Sequence, residues 1–182
     1  MKLDEVMPQW TVRERHSTRV NAPPEIIFDA IETVTAREIR FFQTLTWIRR
    51  FGRTGRESIL NAPADEPILA VATRTGFRRV AVEPPREIVL QLDIAPERIV
   101  AAMNFRVDGA VLSTETRVLT RGAKAKLIFG AYWIVIRAGS GFIRRMWLRA
   151  IKKRAEMQVE SGSAGMAAHE GAPARVTPRS PK

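Results

Sequence analysis

No cysteine occurs among the 182 residues, so a disulfide framework, thiolate chemistry and a thiolate metal site are all closed to this chain. Histidine is nearly as scarce: there are two, and only His16 lies in a segment patterned to fold. Tyrosine occurs once. A bilayer-spanning run is also missing. The longest stretch without charge, Leu127 to Ile136, is ten residues between Lys126 and Arg137, against the roughly 20 that a membrane core requires. The first five residues place Asp4 and Glu5 where a secretory leader would carry a basic and then an apolar stretch. Cytoplasmic residence is the expectation. There is no glycine-rich phosphate loop, no G-x-S-x-G and no metal-ligand cluster. No helix-turn-helix signature, zinc-ligand spacing or aromatic RNA-binding strand motif occurs either. Neither a cofactor, nor a metal, nor a nucleic-acid partner is expected.

Negative charge is in short supply. Nineteen acids face thirty bases, giving a net charge of +11, and lysine supplies only six of the bases. Arginine favours planar, bidentate contacts with carboxylates and phosphates, though the same bias also follows from a genome's base composition. The excess is uneven. Residues 142–154 hold Arg144, Arg145, Arg149, Lys152, Lys153 and Arg154 with no acid among them.

What is present is a chain whose hydrophobic fraction of 45% suffices for a core. Residues 11–20 alternate as a strand, with Val12, Glu14, His16, Thr18 and Val20 on one face and three arginines and a serine on the other. The even face is therefore the inward one. Pro23-Pro24 open a first helix with an Ile27, Ala30, Ile31 and Val34 stripe. Thr35-Ala36-Arg37-Glu38 is a capping box that starts a second, carrying Ile39, Phe42, Leu45 and Trp47 or Ile48 inward and ending near Phe51-Gly52. A loop over 53–66 and a helical turn over 67–73 follow. Strands are expected at 77–83, 86–94, 100–107 and 111–120, with turns at Pro84-Pro85 and Asp108-Gly109. From about residue 123, the series Phe129, Trp133, Ile136, Ser140, Ile143, Trp147 and Ala150 keeps one helical face across Gly139-Ser140-Gly141. It predicts one helix kinked there, or two collinear ones. The domain is expected to span 10–156, with a tail at 1–9 and a disordered tail at 157–182, where Gly, Ala, Ser and Pro dominate.

One strand, two short helices, several antiparallel strands and a long terminal helix make an α+β chain. Its motifs resemble the SRPBCC superfamily, the START and birch-pollen-allergen-like helix-grip fold that includes polyketide cyclase/dehydrase-like proteins. The residues that carry the likeness are Val20-Asn21-Ala22-Pro23-Pro24-Glu25, Gly76-Phe77, Pro85-Arg86-Glu87-Ile88-Val89-Leu90, Ser113–Val118, Tyr132-Trp133 and 139–145. The resemblance implies a curved antiparallel sheet wrapped around the terminal helix. It also implies a cavity between them for a small hydrophobic molecule, a lipid or something polyketide-like. On that layout Thr18, Met103, Phe105, Thr114, Thr116, Tyr132, Trp133 and Ile136 would line the cavity. One departure is visible: only Ala95–Ile99 joins two strands where similar proteins often carry a longer aromatic insertion.

Three groups could carry chemistry. Glu14 and His16, with Cβ atoms roughly 7 Å apart on an inward face, could act as general acid and base in a cofactor-free cyclase, dehydratase or hydrolase. Alternatively, both are simply hydrogen-bonded inside a wide cavity. Glu115 and Arg117, set opposite Asn104 and Arg106, read as an ion-pair ladder on an outer, polar sheet face. Arg144, Arg145, Arg149, Lys152 and Lys153 could touch an anionic membrane, or form the solvated back of the terminal helix.

Overall fold

Alternation in five segments dictates one sheet. The computed structural model describes residues 1–39, 62–95 and 98–170. It contains β1 (Val12–Arg19), β2 (Arg78–Glu83), β3 (Glu87–Ala95), β4 (Ile99–Asp108) and β5 (Val111–Thr120). They are antiparallel throughout, in the spatial order β1-β5-β4-β3-β2. β1 and β2 are thus the edges. Gly109, at φ +55°, closes the β4–β5 hairpin in a conformation that only a residue without Cβ adopts freely. Irregularities at Arg79–Ala81 and Asp93–Ala95 bend the sheet. The five strands fall where the alternation puts them.

The helices are α1 (Lys2–Val6), α2 (Pro24–Thr33), α3 (Ile68–Arg74) and α4 (Ala123–Glu170), with a 3-10 turn at Ala36–Glu38. The architecture is α+β, a curved antiparallel sheet gripping a long terminal helix. The Thr35–Glu38 capping box forms as expected. The second helix that it should open and most of the loop after it fall on residues 40–61, outside the described residues. The core lies between the sheet's inner face and α2, α3 and α4. Ile27, Ile31, Ile68, Leu69, Ile88, Leu90, Leu112, Leu148 and Ile151 meet there with essentially no exposure, each side chain contributing about 1.5–3 kcal/mol by leaving water.

α4 is a single helix that bends by 63° between Ala125–Ile134 and Gly139–Ser163, so the expected kink falls just ahead of Gly139-Ser140-Gly141 and not at them. Among the described residues no single helix is long and apolar enough to cross a membrane, although the two bent parts would pass together by length and composition. Two features differ from the sequence reading. α4 continues to Glu170, through the stretch expected to be disordered, while residues 171–182 lie outside the described ones. Its later turns are held by Lys152 to the Arg19 carbonyl (2.8 Å), Arg154 to Glu38 (2.7 Å), Glu156 to the Asn21 amide (2.9 Å) and Gln158 to Asp29 (2.9 Å).

The second difference is at the N-terminus. The first nine residues, expected as a tail, include α1, which lies on the sheet's outer face and buries Leu3 and Met7 against Val89 and Ala102. Glu87 accepts from the Lys2 and Leu3 amides and from Asn104 (2.8, 3.2 and 2.6 Å). Glu115 and Arg117 are therefore buried, each about 2% exposed, rather than displayed to solvent. Their pairing is real: Arg117 bonds Glu115 at 2.8 Å, Asp4 at 2.6 Å and the Met7 carbonyl at 2.8 Å, beneath the Trp10 ring. Register also shifts one assignment. Asn104 does face Glu115, but Arg117 faces Ala102 and Arg106 faces Ser113.

Candidate functional site

On edge strand β1 the even side chains look inward and the odd ones outward, as alternation requires. Glu14 and His16 become neighbours on the inner face. The His16 Nε2–H donates to Glu14 Oε1 at 2.9 Å, with the two side chains 12% and 9% exposed. Across the ladder Thr116 faces Glu14 and Thr114 faces His16; one strand further, Met103 and Phe105 continue the same two rows. The inner face is thus polar at β1 and grades into hydrocarbon at β4.

The middle of α4 lies over the polar end. Gly141 passes so close that a Cβ there would stand 2.6 Å from Glu14 Oε1 and 3.3 Å from His16 Nε2. Three residues on, Arg144 turns inward and donates to the Thr116 hydroxyl. Burial pushes its guanidinium down to about 10, and the Glu14 carboxylate opposes that shift. Arg144 therefore remains a cation at neutral pH, next to the carboxylate. Glu14 Oε2 is buried yet has no hydrogen-bond partner among the described residues, and the same is true of Trp147 Nε1 one turn beyond Arg144. A buried polar atom left this way costs about 1–3 kcal/mol, so such atoms are normally met by water or ligand.

Two hollows flank α4. A cleft of about 690 Å³ opens at the β1 edge, lined by Glu14, His16, Gly141 and Ile134 with Arg13, Arg15, Arg137 and Arg145 around them. A mainly apolar groove of about 780 Å³ lies along Ile94, Ala95, Ile99, Phe129 and Tyr132, with Arg98 and Arg121 at its sides.

The residues expected to line a cavity do not all meet. Thr116 joins Glu14, His16 and Arg144. Thr18 is half-buried further along β1. Met103, Phe105 and Thr114 are inward but closely covered: Phe105 packs edge-on to Trp147 at 4.8 Å, and the Thr114 hydroxyl donates to the Asn104 carbonyl at 2.7 Å. Trp133 is half-buried and stacks on Phe129 at 6.0 Å. Tyr132, 47% exposed, lines the apolar groove and not the cleft of Glu14 and His16. The Ile136 side chain lies outside the described residues. Sequence reasoning missed Gly141, Arg144 and the Trp147 indole as parts of the site. A signal existed for Gly141, which adjoins Ser140 on the inward stripe.

The basic segment is dispersed as well. Arg144 points inward, Arg145 lines the cleft, Arg149 leans on the Met146 sulfur at 3.8 Å and Lys152 pairs with Glu156 at 3.3 Å. Lys153 alone stands simply exposed. Among the described residues no group of three His, Cys, Asp or Glu side chains could hold a metal ion.

No protein-family model matches this chain. No curated protein matches it either. Solved structures do resemble it at low identity. They include StfQ, a di-domain ARO/CYC from the steffimycin biosynthetic pathway, at 14% identity and a TM-score of 0.46, with 87% of this chain and 56% of that one covered. BexL, another di-domain ARO/CYC, aligns at 16% identity and a TM-score of 0.42 over 85% of this chain and 53% of that one. A Polyketide_cyc-like protein from Corynebacterium glutamicum aligns at 14% identity and a TM-score of 0.36, over 85% and 97% of the two chains. The chain spans about half the length of the two di-domain proteins. The layout of this chain rests on its own element order and sheet topology.

Proposed function

We propose that this protein binds a small, largely hydrophobic molecule under the middle of α4, with Glu14, His16, Thr116 and Arg144 as the polar end of the site. The observation that carries this reading is the buried, unpartnered Glu14 Oε2 beside a hollow. A carboxylate oxygen kept from water and given no donor among the described residues calls for one from a ligand or a water. The cleft supplies the rest: exposed Ile134 presents hydrocarbon beside the polar row at the strand edge. A lipid or polyketide-like compound has this combination of apolar body and few polar groups.

Native mass spectrometry of freshly purified protein tests the reading. A co-purifying apolar mass, lost from Glu14→Leu, is the expected result. A bare protein that also takes up no apolar compound on titration would overturn it.

A second reading has its own observation. The 2.9 Å contact between His16 and Glu14 is sheltered from bulk water and faces the cleft, an arrangement suited to moving a proton on a bound ligand. In this reading the protein is a cofactor-free cyclase, dehydratase or hydrolase. Turnover of a bound substrate should then vary with pH and vanish in His16→Ala while ligand affinity changes only modestly. Unchanged turnover in that variant removes the catalytic role.

A further inference from the structure

The cleft at the β1 edge carries a charge imbalance that the ligand-binding reading does not use. Four arginines border it, and Glu14 is its one carboxylate. Arg13 is already engaged, at 3.0 Å from Glu115 on the outer face. Arg15, Arg137 and Arg145 are exposed and form no ion pair among the described residues. Arg137 and Arg145 stand about two turns apart on α4, while Arg15 belongs to the outward side of β1 and borders the cleft only at its rim. Glu14 cannot neutralise them. Its Oε1 is taken by His16, and the inward Arg144 stands beside it.

Two further features belong to residues that line the same cleft. Glu14 Oε2, on a side chain 9% exposed, has no donor among the described residues. Ile134, 79% exposed, presents hydrocarbon at the same cleft. Cations, a lone acceptor and an apolar ledge around one hollow define complementary chemistry. The guanidinium groups match a planar anion, which they can grip in bidentate fashion. The acceptor asks for a hydroxyl, and the ledge for a short apolar chain.

We propose that this cleft is an anion-recognising subsite, taking the carboxylate head of a hydroxylated amphiphile through Arg137 and Arg145 while the ligand's hydroxyl donates to Glu14 Oε2. It rests on the ligand-binding reading for the apolar part of the molecule and names the class of ligand: a hydroxy acid and not a neutral lipid.

The test uses the full chain and three probes of one length below their micellar concentrations: 3-hydroxydodecanoate, dodecanoate and 1-dodecanol. Binding is followed by isothermal titration calorimetry at neutral pH in low and high salt. The hydroxy acid should bind at least about tenfold tighter than the alcohol, as one charge-assisted contact allows. Plain dodecanoate should fall between them, and the gap should narrow in high salt. Arg137→Glu combined with Arg145→Glu should erase the preference for the acids and leave 1-dodecanol binding as it was. The Arg137→Lys, Arg145→Lys pair should retain part of it. Circular dichroism of both pairs verifies that they fold.

Equal binding of acid and alcohol overturns the subsite while leaving the broader reading intact. A hydroxyl that adds nothing overturns the Glu14 contact, and the proposal with it. Failure of all three probes to bind, with no co-purifying molecule, removes both. A lipid surface is the other source of such an anion, and phosphatidylglycerol vesicles distinguish it. If vesicles sediment with the wild type but not the Glu pair, and the free acids show no preference over the alcohol, the arginines serve a membrane and the subsite is overturned.

Discussion

Gly141 shows how a single residue sets the geometry of the site. Its missing side chain lets α4 settle onto Glu14 and His16, and an added methyl would intrude to 2.6 Å from a carboxylate oxygen. Gly141→Ala sets two effects against each other. Alanine favours the helix by roughly 1 kcal/mol, while the Glu14–His16 pair must move to admit the methyl. Because the obstructing atom is the end of a side chain, the pair gives way and not the backbone. The melting temperature should therefore change by no more than about 4 °C. The His16 ring resonances should shift in NMR spectra, and ligand affinity should drop several-fold. Unmoved His16 resonances would show that the close approach is unimportant. The strand-one pair itself was legible from alternation alone, because period two assigns faces without knowledge of any partner. Arg144 was not legible in that way. Within a helix whose bases ring several sides, only the packing against β5 tells which one turns inward.

At the scale of elements, α1 and α4 are held by very different means. α4 is buried along its later turns and pinned at both neighbours, β1 and α2. α1 has five residues, too few to be stable as an isolated helix, so its place depends on what it meets. That is Arg117, whose guanidinium joins Asp4, Glu115 and two backbone carbonyls. Burial works against its charge, but the hydrogen bonds of Asp4 and Glu115 prevail and raise its pKa. Arg117→Ala leaves Glu115 buried with only Arg13 for company and should cost about 3 kcal/mol. Asp4→Asn loses a half-exposed pair and should cost about 1 kcal/mol or less. Urea unfolding measures both. Hydrogen exchange at the Leu3 amide, bonded to Glu87, should accelerate far more in the first variant. Equal exchange in both would mean that α1 is held by Leu3 and Met7 alone. The burial of Glu115 and Arg117 could not be read from the sequence, since their alternation is the same whether water or α1 covers that face.

For the molecule as a whole, the charge balance has a direction. Two carboxylates tie distant parts of the chain together. Asp4 is held below its ordinary value by the hydrogen bond from Arg117. Glu38 is too: burial acts against it, but the Thr35 backbone and the Arg154 guanidinium outweigh that. A carboxyl group with a depressed native pKa binds fewer protons folded than unfolded. Its stabilisation is complete above the unfolded value and disappears as pH falls through the native one. Acid should therefore loosen the N-terminal helix and the Glu38–Arg154 tie between the capping turn and α4. Unfolding midpoints should decline below pH 4.5, the ordinary value for Glu38. Arg154→Met should blunt that decline. A midpoint flat from pH 7 to 3 would count against both ties.

Sequence alone determined the order of the five strands, the inward face of β1, the hairpin at Asp108-Gly109 and the bent terminal helix. Each follows from period, turn chemistry or chain stiffness, properties that a segment carries wherever it is placed. Tertiary structure decided what lies over each face: α1 over Glu115 and Arg117, bare Gly141 over Glu14, and Arg137 and Arg145 of α4 beside the same hollow. Those depend on distances between residues more than a hundred positions apart, and a one-dimensional pattern does not encode them.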